Sequence, residues 1–325
     1  MTARGAERPG EFDLIARLFA PLALDAGAFG LREDVALLRP PDGKDLVLKA
    51  DAIVESIDFF RADPAAAVGQ KAIRVNLSDL AAKGAVPHGY LMTLLLPGWP
   101  DRAWLEQFAE GLACDQAEFG LRLLGGDISS TPGPLAISIA AFGLIEHGAL
   151  IRRAGAKPGD SVFVSGTIGD SAGGLSVLKG EAGAAGHQEL IARYRIPSPR
   201  LELGRSLRAV ASAALDVSDG LVADLEHLAG ASDVAIVLDA MRIPVSPGLC
   251  ELWGDTLETR VRAATSGDDY EIAFTASSRD AVMAAARQAN IAVTQIGRVE
   301  AGRGIRLLDP FGNEIGLFRK GFAHF

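Results

Sequence analysis

Leu215-Asp216-Val217-Ser218-Asp219-Gly220 reads as the end of a strand entering a turn that opens a helix, with two acids on one turn. Outward from it, Ser161 to Val164 is a second strand running into Ser165-Gly166-Thr167-Ile168-Gly169-Asp170 and a helix. Pro197-Ser198-Pro199 breaks the chain before a helix to about Ala211. Gly267-Asp268-Asp269-Tyr270-Glu271 precedes the apolar strand end of Ile272 and Phe274, followed by helix Arg279 to Asn290 and strand Ile291 to Ile296. The pattern is a mixed α/β fold without a short-period repeat.

The N-terminal half follows the same logic. Phe12, Ile15, Leu18 and Phe19 have helical spacing, so Glu11 to Phe19 is predicted as a short helix. Leu46-Val47-Leu48 is a strand ending in Lys49-Ala50-Asp51, which puts Asp51 near a strand's carboxyl end. Asp63-Pro64 is a helix start and Gly84 a stop, and inside that helix Val68, Ala72, Val75 and Asp79 share one face. Pro100-Asp101 opens another helix that ends near Gly120, and Leu121 to Leu124 runs into Gly125-Gly126-Asp127, read as a tight turn, a hairpin turn being the bland version. A strand spans Leu135 to Ala141. The basic, Gly/Pro-rich run His147 to Asp160 marks a junction, giving an N-terminal domain at 1–148 and a C-terminal domain at 149–325.

Composition narrows the chemistry. The 325 residues carry 32 Lys+Arg against 41 Asp+Glu, a formal charge of −9, which argues against nucleic acid or an anionic membrane as partner. Cys114 and Cys250 are far apart and supply neither a disulfide framework nor a zinc site, as fits a reducing cytoplasm. Met1 to Gly10 lacks an apolar run, so no signal peptide is expected, and the longest uncharged stretch, Ile128 to Ile145, is broken by Pro and Gly, so no membrane span is expected.

What stands out is aspartate at element ends: Asp34, Asp51, Asp79, Asp127, Asp216, Asp219 and the pair Asp268-Asp269. Two bare carboxylates ~4 Å apart repel by roughly 4 kcal/mol at an effective dielectric near 20. Converging acids therefore protonate or bind cations. Oxygen donors with few histidines, and none in H-x-x-x-H spacing, select Mg²⁺ over zinc, and Mg²⁺ on carboxylates keeps open positions that phosphate oxygens fill. Any one of these acids also reads as an N-cap. Asp79, mid-helix on an apolar face, does not, and the turn holding Asp216 and Asp219 needs only one cap. Gly166 to Gly174 fits either a phosphate cradle at a helix start or glycines for helix-to-sheet packing. No P-loop or G-x-G-x-x-G motif occurs. Ser218 has no neighbouring His, which argues against a nucleophilic serine, and Arg152-Arg153 reads as a solvated pair or a phosphate contact.

In order along nearly the whole chain, Gly10-Glu11-Phe12, Asn76-Leu77-Ser78-Asp79-Leu80-Ala81-Ala82, Gly125-Gly126-Asp127, Arg153-Ala154-Gly155-Ala156-Lys157-Pro158-Gly159-Asp160, Asp216-Val217-Ser218-Asp219-Gly220-Leu221, Gly267-Asp268-Asp269-Tyr270-Glu271 and Lys320-Gly321-Phe322-Ala323-His324-Phe325 resemble the thiamine-monophosphate kinase family. The resemblance implies the two-domain α/β fold of aminoimidazole ribonucleotide synthetase and selenophosphate synthetase. It also implies a homodimer with the N-terminal sheet at the interface, and transfer of a phosphoryl group from ATP to thiamine monophosphate, giving thiamine diphosphate. It makes Asp34, Asp51, Asp79, Asp127, Asp216 and Asp219 Mg²⁺ ligands and puts Gly125, Gly126, Asp127, Arg153 and Ser218 at ATP. Asp79, Asp127 and Arg153 become the catalytic set, and Asp58, Asp268, Arg319 and Phe322 fall on the acceptor side. This chain departs from the family at Asp58, which stands where His is usual, at Arg319 for Trp, at Lys49-Ala50 for a Ser/Thr-Thr pair, at Glu33 for Asp, and at Ile128-Ser129 for Thr. Two other outcomes stay open: a sister kinase or synthetase acting on another small phosphate, and a nucleotide-binding paralogue without turnover.

Overall fold

The computed structural model describes residues 11–181 and 186–322. Gly10 of the first motif, Ala323-His324-Phe325 of the last and the N-terminal segment read for a signal peptide lie outside the described residues.

The chain begins with α1 (Glu11–Leu14), which continues as one π-helical turn at Ile15–Phe19 and a 3-10 turn at Ala20–Leu22. A first sheet then forms from β1 (Lys44–Val54), β2 (Val86–Leu96), β3 (Arg122–Ser130) and β4 (Ala136–Glu146), in the order β1-β4-β2-β3. It is accompanied by α2 (Ala65–Ala82) and α3 (Arg102–Phe119). Asp101 caps α3 by accepting from Trp104 N–H at 2.8 Å, and Gly120 ends it at φ 69°. Asp101→Ala is expected to lower stability by about 1 kcal/mol, read as a lower urea midpoint with activity unchanged. The two helices are pinned together by a buried fork, Arg74 Nε and Nη2 each 2.8 Å from the carboxylate of Asp115. Burial outweighs Arg74 there and pushes the Asp115 carboxyl above its ordinary range.

One face of this sheet is interior. Tyr90, Leu94, Ile137 and Ile139 are buried, and Tyr90 accepts from Gln116 of α3 at 3.2 Å. Alternation sends Leu48, Leu91 and Leu95 to the surface instead.

The second sheet runs β10-β7-β9-β5-β8-β6. Its strands are β5 (Ser161–Ser165), β6 (Ala213–Asp216), β7 (Ala235–Asp239), β8 (Ile272–Ala276), β9 (Val293–Glu300) and β10 (Gly304–Leu308). Only β10 with β7 is a parallel pair. The helices are α4 (Asp170–Leu178), α5 (Gln188–Arg195), α6 (Leu201–Leu207), α7 (Leu221–Ser232), α8 (Pro247–Trp253), α9 (Leu257–Ala264) and α10 (Arg279–Ala289). On β5, Val162 and Val164 join a core with Leu221, Leu225, Leu249 and Ala263, while Phe163 between them joins another with Leu203, Leu207 and Val282. The sheet is thus buried on both faces along β5, β7 and β8, which explains why these strands are largely apolar, whereas β9, with Gln295, Arg298 and Glu300, is only partly covered.

The chain divides into two compact units, one reaching to Asn76 and resuming over Pro87–Leu144, the other comprising Leu77–Val86 and everything from Ile145. The second unit takes in the end of α2 because Ala81 and Ala82 pack with Phe163 and Ala214, and Lys83 Nζ donates to Ala214 O at 2.7 Å. Among the described residues no helix is long and apolar enough to cross a membrane.

Candidate nucleotide and acceptor site

In the second unit the turn Val217-Ser218-Asp219-Gly220 leaves β6 and enters α7. β6 ends on Asp216, which is buried and pairs in register with Ile272 of β8. Asp224, in the first turn of α7, reaches back so that its Oδ2 accepts from the N–H groups of Ser218, Asp219 and Gly220, each at 3.1 Å. Burial first, then the charge of Asp219, push the Asp224 carboxyl up to about 7 against those three donors.

The loop Gly267 to Glu271 is stitched to this turn. Asp268 N–H donates to Ser218 O at 2.8 Å, Tyr270 N–H to Val217 O at 2.7 Å, and Val217 N–H to Glu271 O at 2.8 Å. Asp268 and Tyr270 hold φ of 69° and 54°, a left-handed conformation that costs a side-chain-bearing residue about 1 kcal/mol or more. The Tyr270 hydroxyl donates to Asp268 Oδ1 at 2.9 Å and orients that carboxylate. From the C-terminal segment, Phe322 N–H donates to Asp219 O at 2.8 Å. Ser218-Asp219, Asp268 and Phe322, three segments separate in sequence, are therefore neighbours in one hydrogen-bonded knot.

Behind the loop lies a fixed charge cluster. Glu271 is fully buried, accepts from Ser165 Oγ at 2.6 Å, and is held by Arg193 (2.8 Å) and Arg200 (2.7 Å). Asp269 Oδ1 accepts from Gly169 N–H at 2.8 Å, and burial holds its carboxyl well above the ordinary carboxylate range. The N–H of Gly169 is already taken by a carboxylate and Asp170 puts a negative charge in the first turn of α4, both of which favour the packing reading of Gly166 to Gly174 over the phosphate cradle. The glycines are there for packing: a Cβ on Gly169 would sit 2.5 Å from Ala263 Cβ, and one on Gly174 2.1 Å from Leu190 O.

In the first unit two expectations need correction. Gly125-Gly126-Asp127 is no turn; it lies within β3, paired in parallel with Leu91, Met92 and Thr93 of β2 just after a register shift at Tyr90/Leu91. Gly126 is required because a Cβ there would fall 1.8 Å from Met92 O. Asp51 is not at a strand end either, since Ala52-Ile53-Val54 continue β1 beyond it. Its N–H donates to Asn76 Oδ1 of α2 at 3.0 Å, and its carboxylate lies 3.1 Å from Lys49 Nζ. β1 and β3 are the two edges of the sheet, so Asp51 and Asp127 stand three strand spacings apart, roughly 14 Å. One ion cannot reach both within a chain. Asp34 is exposed on the loop before β1, and the Asp58 carboxylate accepts from Val54 N–H at 2.7 Å, closing the turn after that strand. Asp79 is half-buried on α2, and Arg153 and Arg319 are exposed. Among the described residues no group of three or more His, Cys, Asp or Glu side chains is arranged to hold a metal ion.

Asp224, Asn76, Tyr270 and the Glu271 cluster were not singled out from sequence for these roles. Asp224 had a signal, an acid four residues after the turn glycine, where it can reach back to a helix start. The Arg193 and Arg200 pairs span 78 and 71 residues and leave no local trace.

Comparison with known proteins identifies the fold and the family. Residues 32–145 match the N-terminal domain model of the AIR synthase related proteins, and residues 157–309 match the C-terminal one. The thiamine-monophosphate kinase of Caulobacter vibrioides is 42% identical, with 99% of this chain and 93% of that protein covered. The solved thiamine-monophosphate kinase of Stenotrophomonas maltophilia K279a is 39% identical at a TM-score of 0.79, covering 85% of this chain and 89% of that one. AaThiL, solved in complex with AMPPCP and TMP, is 32% identical at a TM-score of 0.77, covering 97% of each chain. The chain belongs to the thiamine-monophosphate kinase family of AIR synthase related proteins.

Proposed function

We propose that this protein phosphorylates thiamine monophosphate with ATP, yielding thiamine diphosphate and ADP. The observation that carries the reading is the knot in which Ser218 and Asp219, on the nucleotide and metal side, adjoin Asp268 and Phe322, on the acceptor side. The acceptor oxygen is already anionic, so the reaction needs no general base. What it needs is in-line placement of the two phosphates and cancellation of their charge.

The donor set fits Mg²⁺: Asp34, Asp51 and Asp127 in the first unit, and Asp79, Asp216 and Asp219 in the second, offer hard carboxylate oxygens and neither thiolate nor imidazole. Bound Mg²⁺ would supply neutralising charge for the polyphosphate. Asn76 holds the backbone of Asp51 and the pairing of β3 with β2 holds that of Asp127, so both acids stand at fixed backbone positions. Gly125, Gly126, Asp127 and Ser218 are the proposed ATP contacts, and Arg153 offsets charge on the transferred group. On the acceptor side, Asp268 and Asp58 offer negative charge to the thiazolium cation, Phe322 an aromatic face, and Arg319 a phosphate contact. Arg153→Ala is expected to raise the KM for ATP about tenfold, measured by initial rates at saturating acceptor; an unchanged KM would make it a solvated charge.

A homodimer in the cytoplasm completes the reading. The exposed Leu48, Leu91 and Leu95 suit a second copy of this chain, and the separation of Asp51 from Asp127 favours a site to which both copies contribute. The N-terminal domain would then serve metal, ATP and dimerisation together. The test is ADP release coupled to a second enzyme, with thiamine monophosphate set against other small phosphates. Release strictly dependent on thiamine monophosphate supports the proposal. Release with a different acceptor, or ATP binding without release, would replace it by the sister-enzyme or silent-paralogue reading.

A further inference from the structure

Three consecutive peptide groups of the 217–220 turn have both of their ends committed. In the first, Ser218 N–H goes to Asp224 Oδ2 while the carbonyl of the same plane, Val217 O, accepts from Tyr270 N–H. In the second, Asp219 N–H goes to Asp224 Oδ2 while Ser218 O accepts from Asp268 N–H. In the third, Gly220 N–H goes to Asp224 Oδ2 while Asp219 O accepts from Phe322 N–H. A trans peptide is planar, so its N–H and C=O point in opposite directions and turn together. The single oxygen that gathers the three N–H groups therefore aims the three carbonyls as well. Those carbonyls hold the acceptor loop and the C-terminal segment.

We propose that Asp224 is the positioning residue that couples the nucleotide-binding turn to the acceptor-binding elements, a role that rests on the assignment of Ser218 to ATP and Asp268 to thiamine monophosphate. Asp224 itself is 7 % exposed and its Oδ2 is engaged by three backbone N–H groups, so it acts through the peptide planes. Without its carboxylate the three N–H groups must find other acceptors, Gly220 from a buried position. Each plane that rotates to do so withdraws a carbonyl from residue 268, 270 or 322. Hydrogen bonds at the two ends of one peptide also polarise each other, so the six bonds are expected to fail as a group.

The experiment measures KM for ATP and for thiamine monophosphate, with Mg²⁺, in Asp224→Leu and Asp224→Asn, beside Ser218→Ala and Asp268→Asn. KM is independent of the fraction of protein folded, so a loss of stability alone would not move it. Asp224→Leu is expected to raise both constants about tenfold or more, and Asp224→Asn, which retains one acceptor oxygen, by about threefold. If Asp224→Leu fails to fold, Asp224→Asn decides, with direct calorimetric titration of ATP and of thiamine monophosphate. Unchanged constants in the Asp224 variants, with shifts in Ser218→Ala and Asp268→Asn, would overturn the coupling role alone. Unchanged constants in Ser218→Ala and Asp268→Asn would overturn the substrate assignment beneath it.

Discussion

Asp127→Asn is expected to lower kcat/KM about a thousandfold, roughly 4 kcal/mol of transition-state stabilisation, with the unfolding midpoint unchanged. The side chain is exposed on an edge strand, so removing its charge leaves the packing untouched. Asp51→Asn is expected to match it, because its backbone is held by Asn76 irrespective of side-chain charge. The two residues stand on opposite edges of one sheet, which makes a stronger test available. Co-expression of the two inactive variants is expected to recover about a quarter of wild-type activity. In a two-fold dimer half of the molecules are then mixed, and each mixed dimer has one intact site if partners contribute one acid apiece. Recovery of nothing would mean that each chain builds its site alone, and near-normal single variants would remove both acids from the metal site.

The second large effect concerns stability. Glu271→Ala is expected to destabilise the second unit by about 3–5 kcal/mol, because it strands the guanidinium groups of Arg193 and Arg200, which both hold the buried carboxylate. The loss also frees Ser165 Oγ, which donates to Glu271 and accepts from Ile272 N–H at 2.8 Å, where β8 begins. A melting temperature lower by roughly 10 °C is the calorimetric counterpart. Replacing all three charged residues by apolar ones of similar volume is expected to cost much less, since no charge is then left unpaired. A Glu271→Ala protein that melts like the wild type would show that solvent reaches the arginines and that the cluster contributes little.

Much of this architecture was legible in local signals. Asp101 and Gly120 bracket α3 because a carboxylate cap and a left-handed glycine are local requirements of a helix. The turn after β6 was readable for a similar reason: an apolar run, two acids and a glycine describe strand, turn and helix start within ten residues. Gly125-Gly126-Asp127 misled because glycine pairs usually mark turns. Here the demand for glycine comes from Met92, a residue of another strand 34 positions earlier, which no local reading detects. Asp51 misled in the same way, since the extension of β1 past it is set by the sheet rather than by the lysine and acid that look like a strand end.

The site divides along the same line. Individual acids could be named from their neighbours, but which of them meet depends on sheet order. That order sets the turn of Ser218 and Asp219 beside the loop of Asp268 and separates Asp51 from Asp127, and a backbone hydrogen bond adds Phe322 to the first group. The holders of these residues, Asp224 through three backbone donors and Tyr270 through a hydroxyl, are ordinary members of a helix and a loop until the fold joins them.

The most direct measurement is calorimetric titration of the protein with ATP, once with excess Mg²⁺ and once with a chelator. Binding is expected only when the divalent ion is present, and the Mg²⁺-supported affinity is expected to collapse in Asp127→Asn. Equal affinity for ATP under both conditions would contradict the proposal that these carboxylates grip the nucleotide through metal.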